Sequence, residues 1–253
     1  MAVAADSDRN TRAMEDSFIV AGCPVRNRAW ILPRHIFAVS NVAYSDCFHF
    51  PNSLFYLWGD CDDDTAMVLS RHRSAGAAVY IDRFDTGFPG WKRDGEGEER
   101  YHSSNMSRVR NVWAERLVGM FPEATHLWNV DSDVLPAPDV LQRLLAVDKP
   151  VVGAFVPIAD GVTPIHMTHF VIDDPGGFKA RRMGNEKDQT GPHPVTLLGG
   201  CYLIRRDAWE AGLRWGEHPQ GEDGFFGDKS RELGLELWVD PMAKCEHVME
   251  EDS

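Results

Sequence analysis

In HLWNVDSDVLPAPDVL, from His126 to Leu141, an apolar run stops at two aspartates, Asp131 and Asp133, one residue apart. Carboxylates at i and i+2 off a strand end can both turn toward one point. There they could hold a divalent cation through hard oxygens, and such a cation would neutralise a diphosphate. Both residues also suit a turn ahead of a helix, because Asx side chains bond the backbone nearby. The spacing alone leaves both roles open. His247, in DPMAKCEHVM, is the second element. Imidazole can complete a Mn²⁺ or Mg²⁺ site begun by carboxylates, although a single late histidine is more often a surface or packing residue. Cys245 and His247 have no second pair at zinc-site spacing, so zinc is not favoured.

GEDGFFGDKSRELG places Glu222 and Asp223 at a helix start, where carboxylates meet the positive end of the helix dipole. Beyond that role, one of them could orient or deprotonate an acceptor nucleophile. In LLGGCYLIRR, Gly199 and Gly200 precede a strand. Paired glycines there mark either a bulge or a place where a ligand meets the backbone. Basic residues also gather near strand ends. Arg26 and Arg28 follow the first strand, and Arg108, Arg110 and Asn111 lie on the helix ahead of the DSD strand. They could contact a diphosphate or a base, or simply coat solvated helix faces.

Short apolar runs alternating with helical patterns must position these residues. Phe18 to Ala21 reads as a first strand, with Gly22 turning the chain toward a helix. SLFYLWGD, AAVYID, THLWNV and PVVGAFVP read as four further strands. Between them, DDDTAMVLSRH reads as a capped helix, and PDVLQRLLAV as another with Pro138 in its first turn. Met106, Val109, Trp113, Leu117 and Met120 recur at spacings of three and four, one stripe of a helix. The Gly- and charge-rich RFDTGFPGWKRDGEGEERYHSSN ahead of them reads as a mobile surface loop. Strands alternating with helices imply parallel pairing through crossovers. The expected fold is a single α/β domain with a mostly parallel central sheet and helices on both faces. The second half is less regular. It holds THFVID, a Gly/Pro/His-rich loop from Gly184 to Pro194, the strand CYLIRR and a short helix. In the final FFGDKSRELGLELWVDP, Gly234 ends a helix and Leu235 to Val239 open a strand.

The chain of 253 residues is long enough to bury a large core, and 43% hydrophobic with 26% charged residues is an ordinary folded composition. A net charge of −13, from 39 acidic and 26 basic residues, argues against a sequence-independent nucleic-acid binder, which needs a basic footprint. It does not exclude a phosphate-bearing small molecule served by a few arginines or a cation. No apolar run approaches the roughly 20 residues of a membrane span. The polar, acidic amino terminus has no signal-peptide h-region, and the five scattered cysteines form no C-x-x-C pair. A cytoplasmic protein with reduced thiols, no membrane span and no nucleic-acid partner is the expectation, and a homo-oligomer is compatible with it. DCDDDT imitates the start of an EF-hand loop but has Thr65 where glycine is needed and Arg71 where the bidentate Glu belongs. Walker, G-x-G-x-x-G and G-x-S-x-G motifs are absent.

Taken in order, CPVRNRAWILPRHI, YLWGDCDDDT, SRVRNVWAERLVG, HLWNVDSDVLPAPDVLQRLL, LLGGCYLIRRDAWEAG, GEDGFFGDKSRELGLELWVDP and the terminal CEHV resemble the GT-A superfamily of nucleotide-sugar-dependent glycosyltransferases. The resemblance spans Phe18 to about His247. Its VRN…WNVDSDV portion is similar to bacterial and phage enzymes related to family 2 and to the yeast mannan-polymerase type of GDP-mannose transferases. What the resemblance implies can be set out by position. A divalent metal, Mn²⁺ or Mg²⁺, would be held by Asp133 and His247, with Asp131 contacting metal or ribose. Pro24, Val25, Arg26, Asp60 and Ser132 would line the nucleotide pocket, and Arg110 and Asn111 would face the nucleotide sugar. Gly199 and Gly200 would lie on the acceptor side with Glu222 and Asp223. In inverting relatives the carboxylate of an ED-like motif acts as base, which favours Asp223.

The implied activity is transfer of a hexosyl group from a GDP-sugar, ahead of a UDP-sugar, to a small or medium soluble acceptor. His247 as a ligand and the likeness to the mannan polymerases lean toward retention. A flexible leader over residues 1–16 would precede one domain over 17–253, with a nucleotide-binding half of about 17–157 and an acceptor half of about 158–253. The Q-x-x-R-W motif of processive synthases is missing. Two other classes compete. A sugar-1-phosphate nucleotidyltransferase normally opens with a Gly-rich, Arg/Lys-bearing loop, whereas AGCPVRNR has only Gly22. A non-catalytic carbohydrate-binding module would use tryptophans 58, 91, 128, 209, 215 and 238 as stacking surfaces.

Overall fold

The computed structural model describes residues 17–43, 53–74, 79–87, 98–157, 168–171, 179–182, 191–219 and 221–249. The leader expected over residues 1–16 lies outside them. So do residues 88–97 of the Gly-rich segment, Trp91 among them, and residues 184–190 of the Gly/Pro/His-rich one.

Alternation along the first strand decides the layers. In β1 (Ile19–Val25), Ile19, Ala21, Cys23 and Val25 face one side of the sheet and Val20 the other. The same split recurs in β2 (Leu54–Trp58), where Leu54 and Tyr56 oppose Phe55 and Leu57. Strands buried on both faces are what helices on both sides require. The first face is covered by α1 (Leu32–Ala43), α2 (Thr65–Ser74) and α4 (Val140–Val147), through Leu32, Ile36, Leu69 and Leu144. The second is covered by α3 (Glu98–Met120), α5 (Arg206–Glu210) and α6 (Glu222–Glu232), through Trp113, Leu117, Trp209 and Phe226.

The remaining strands are β3 (Val79–Arg83), β4 (His126–Val130), β5 (Val134–Pro136), β6 (Val151–Phe155), β9 (His193–Val195), β10 (Cys201–Arg205) and β11 (Leu237–His247). With β1 and β2 they form one sheet of order β3-β2-β1-β4-β10-β6-β11-β5, with β9 also pairing β11. Strands β1, β2, β3, β4, β6 and β11 run one way, while β10, β9 and β5 run against them. The α/β fold with its mostly parallel sheet is therefore as expected, though mixed. A separate pair, β7 (Thr168–Val171) and β8 (Lys179–Arg182), holds the strand expected at THFVID.

Several local expectations are corrected. Gly22 does not turn the chain, because β1 runs through it to Val25 and α1 begins only at Leu32. Its role is close approach: at φ 147°, an added Cβ would lie 1.9 Å from the Phe55 carbonyl oxygen of the paired strand. Helix α3 starts at Glu98, so the end of the supposed loop is helical. Its buried face is also rotated. Arg110, Trp113, Ala114 and Leu117 are buried, whereas Met120 is 43% exposed. Pro138 precedes the α4 cap, Asp139, instead of opening the helix. The short β5 follows the DSD turn without having been foreseen. Gly234, at φ 68°, does end α6.

One irregularity carries the site. Strand β11 pairs in parallel with β6 as far as Asp240, shifts register before Lys244, and then pairs antiparallel with β5. The bend sets His247 opposite Val134, the residue after Asp133.

The Gly22 contact gives a clean test of the pairing. Gly22→Ala should lower the urea unfolding midpoint, with a loss of about 3 kcal/mol, because neither backbone can yield without breaking the β1–β2 ladder.

Candidate active site

The carboxyl ends of β1, β2 and β4 open onto a cavity of about 520 Å³. Such crevices beyond strand ends are where open α/β sheets bind ligands. Pro24, Val25 and Arg26 line it from β1, Asp60 from β2, Arg110 from α3, and Asp131, Ser132 and Asp133 from the turn after β4. The expected nucleotide pocket thus gathers around one space. Arg28, a candidate diphosphate or base contact, lines it too, and Asn27, Phe84, Thr86, Asn105, Met106 and Val109 do so without having been assigned there. Met106 and Val109 belonged to the apolar stripe of α3, which was the only signal for them: they meet the cavity, while Trp113 and Leu117 meet the core.

Asp60 is shaped by its surroundings. It sits at φ 49° and accepts hydrogen bonds at Oδ2 from the Thr86 amide and hydroxyl, at 2.8 and 2.6 Å. Its carbonyl accepts from Arg26 Nε at 2.8 Å, tying the β1 and β2 ends together.

The two aspartates part company. The chain turns at Asp131–Val134, where the Val134 amide donates to the Asp131 carbonyl at 2.8 Å, so the turn role is real. Asp131 is then held from three sides. Arg110 grips it bidentately, Nη1 to Oδ1 at 2.9 Å and Nη2 to Oδ2 at 3.0 Å. Asn129 Nδ2 donates to Oδ1 at 3.1 Å, and the Asp131 amide donates to the Gly200 carbonyl at 2.7 Å. Arg110 itself is only 3% exposed, and it also donates to Asn129 Oδ1 at 3.0 Å and Glu222 Oε1 at 3.2 Å. Burial would lower its pKa, but Asp131, Asp223 and Glu222 raise it well above the ordinary value.

Asp133 faces the other way. Arg28 Nη2 donates to its Oδ2 at 3.0 Å, and His247 Nε2 lies 3.9 Å from its Oδ1. His247 Nδ1 is 3.0 Å from the Pro157 carbonyl oxygen, which can only accept, so Nδ1 carries the proton. In the neutral ring, Nε2 therefore presents its lone pair toward a carboxylate oxygen. That donor set fits a hard or borderline divalent cation, and a backbone partner fixing the other ring nitrogen is what ligating histidines usually have. No group of three potential metal-binding side chains occurs among the described residues. Asp133 and His247 are brought together, while Asp131 is turned to Arg110.

On the far side of Arg110 lie the α6 residues. Glu222 is a buried partner of Arg110. Asp223 keeps a partly accessible face, but its Oδ1 is sealed and has no partner among the described residues. Burial pushes its pKa well up, and Glu222 and Asp131 add to the rise against the opposing pull of Arg110 and Tyr202. The Tyr202 hydroxyl in turn accepts from Trp215 Nε1 at 3.0 Å. Asn111 does not line the cavity. Its amide donates to the Trp215 carbonyl at 2.8 Å and accepts from the Trp215 amide at 3.1 Å. Gly200, at φ 71°, packs where a Cβ would meet Val156 at 3.2 Å, and the Gly199 carbonyl accepts from Cys201. Gly200 therefore has a backbone reason to be there.

Behind Asp133, the buried His35 ring places Nδ1 3.0 Å from the Val134 carbonyl oxygen. Burial holds its pKa down at about 4.

The fold is GT-A-like. GalNAc-T7, solved with UDP, GalNAc and Mn²⁺, superposes with a TM-score of 0.61 at 15% identity, over 93% of this chain and 44% of that one. S. aureus TarS 1–349 in complex with UDP gives 0.57 at 13%, over 92% and 61%. The mannosyltransferase PcManGT from Pyrobaculum calidifontis, in complex with GDP-Man and Mn²⁺, gives 0.54 at 11%, over 99% and 66%. The chain thus spans less than two thirds of the length of these glycosyltransferases. No family model and no curated protein matches the sequence.

Two outcomes follow from the buried charges. Arg110→Met leaves several carboxylates around an empty centre and should lower unfolding free energy by about 3–5 kcal/mol, read from urea titrations. The depressed His35 pKa acts through acid. Below pH 6.5 the unfolded chain takes up a proton that folded His35 refuses until about pH 4. Stability present above pH 6.5 should therefore decline across that window, by on the order of 3 kcal/mol. His35→Gln should remove that part of the slope.

Proposed function

We propose that this protein is a metal-dependent glycosyltransferase that moves a hexosyl group from a nucleoside-diphosphate sugar to a small or medium acceptor. The observation that carries the reading is the Asp133–His247 pair, 3.9 Å apart, with Asp133 lining the strand-end cavity and the other His247 nitrogen held by the Pro157 carbonyl. The glycosyltransferase folds that resemble this one support it. The nucleoside would lie against Pro24, Val25 and Asp60, and the diphosphate would reach Asp133. A Mn²⁺ or Mg²⁺ held by Asp133 and His247 would supply charge stabilisation for the departing diphosphate, the kind of electrostatic contribution that is usually largest in such reactions. Arg110 keeps Asp131 in place beside the reacting groups. GDP donors are favoured over UDP donors on the resemblance to GDP-mannose transferases alone.

Asp223 is the proposed base. Its raised pKa keeps the carboxylate basic enough to accept the acceptor hydroxyl proton, which would arrive at its partly accessible face. A base acting on the acceptor favours direct displacement at C1 with inversion, so this property of Asp223 counts against the retention suggested by the resemblance.

Calorimetric titration of GDP and UDP, with and without Mn²⁺, tests the reading. Metal-dependent binding that Asp133→Ala abolishes is expected, and nucleotide binding indifferent to both metal and Asp133 would overturn it. With an accepted donor, Asp223→Asn should lower kcat by about 10²–10⁴-fold. In the wild type, kcat/KM should rise with pH as Asp223 loses its proton. The anomeric signal of the product by NMR decides between inversion and retention.

A further inference from the structure

We propose that Arg28 is an electrostatic latch that makes cation binding at Asp133 depend on a diphosphate. The inference rests on the reading of Asp133 and His247 as the cation pair. Arg28 occupies the second oxygen of the same carboxylate: its Nη2 donates to Asp133 Oδ2 at 3.0 Å, while His247 faces Oδ1. A guanidinium and a divalent cation sharing one carboxylate would stand within roughly 5 Å, where like charges at a partly buried site repel strongly. Without an added anion, the Arg28 charge opposes the cation.

The side chain has another place to go. Arg28 lines the cavity, and among the described residues its buried Nε has no partner and its Nη1 has only a long contact to the Asn27 carbonyl at 3.3 Å. An unsatisfied buried donor is unfavourable, and a guanidinium fork suits phosphate oxygens. The backbone, in contrast, is pinned. The Arg28 amide donates to Thr65 Oγ1 at 2.8 Å, and its carbonyl accepts the Ile31 and Leu32 amides at the start of α1. Only the side chain needs to move. A diphosphate in the cavity accepts the fork and neutralises both cations, so the two ligands strengthen each other reciprocally. The cation alone is held weakly, and the site assembles only around a diphosphate.

The test measures Mn²⁺ alone, by electron paramagnetic resonance of the free ion, on the full chain without nucleotide. Arg28→Gln should bind Mn²⁺ at least about tenfold more tightly than wild type, and Arg28→Lys, which keeps the charge, should stay near wild type. Asp133→Asn in the Arg28→Gln background should abolish the gain. In EDTA, GDP or UDP should bind Arg28→Gln about tenfold more weakly than wild type. Mn²⁺ binding to Arg28→Gln that is absent or no tighter than wild type overturns the latch, provided that circular dichroism shows the variant folded. If it is unfolded, Arg28→Met replaces it under the same criterion. Should Mn²⁺ tighten as expected and inorganic pyrophosphate strengthen Mn²⁺ binding to the wild type while neither nucleotide binds any form, the latch stands and the nucleotide-sugar reading fails; if pyrophosphate has no effect either, the latch is overturned.

Discussion

One buried cation organises this molecule. Arg110 projects from α3 into a space where Asp131 and Glu222 accept its hydrogen bonds and Asp223 stands close enough to feel its charge. A guanidinium 3% exposed is tolerable only when paired, and carboxylates so close together are tolerable only around a cation. The requirement is mutual, and it ties the middle of α3, the end of β4 and the start of α6 into one unit. Asp131 can then hold the turn, and Asp223 keeps a place beside the network with an oxygen unused.

Against that closed network, the cavity side is deliberately incomplete. Among the described residues, Asp133 Oδ1 meets no hydrogen-bond donor, and His247 Nε2 stands 3.9 Å from it. The difference between the two aspartates is therefore one of environment. Asp131 is neutralised by a buried arginine, while Asp133 is paired with the half-exposed Arg28 on the cavity side. His35 supports the arrangement from behind through the Val134 carbonyl.

The competing classes fare unevenly against these features. A carbohydrate-binding module would need exposed indole faces, yet Trp128, Trp209 and Trp215 are at most 3% exposed, and Trp58 and Trp238 pack on the core. A nucleotidyltransferase would need a glycine-rich cradle after β1. Instead, Arg28 and Thr65 anchor a short turn into α1, with Asn27 at φ 49° as its strained member.

The local periodicities were legible because side-chain alternation and helical spacing are written within a few residues. They located β1, β2, β4, β6, α2, most of α3 and the helix-ending Gly234, and they placed Asp131 and Asp133 past a strand end. Arg110 was half legible: its spacing from Trp113, Ala114 and Leu117 puts it on the buried face, but a charged residue is read as solvated until partners are found. Other relations depended on distant chain segments. The bend in β11 that brings His247 opposite Val134, the Pro157 carbonyl that sets its tautomer, and the engagement of Asn111 with Trp215 all join residues far apart in sequence. Pairing register and side-chain partners across such distances are settled by how whole strands and helices pack. The sequence by itself determined which residues could do chemistry; only the tertiary structure decided which of them meet.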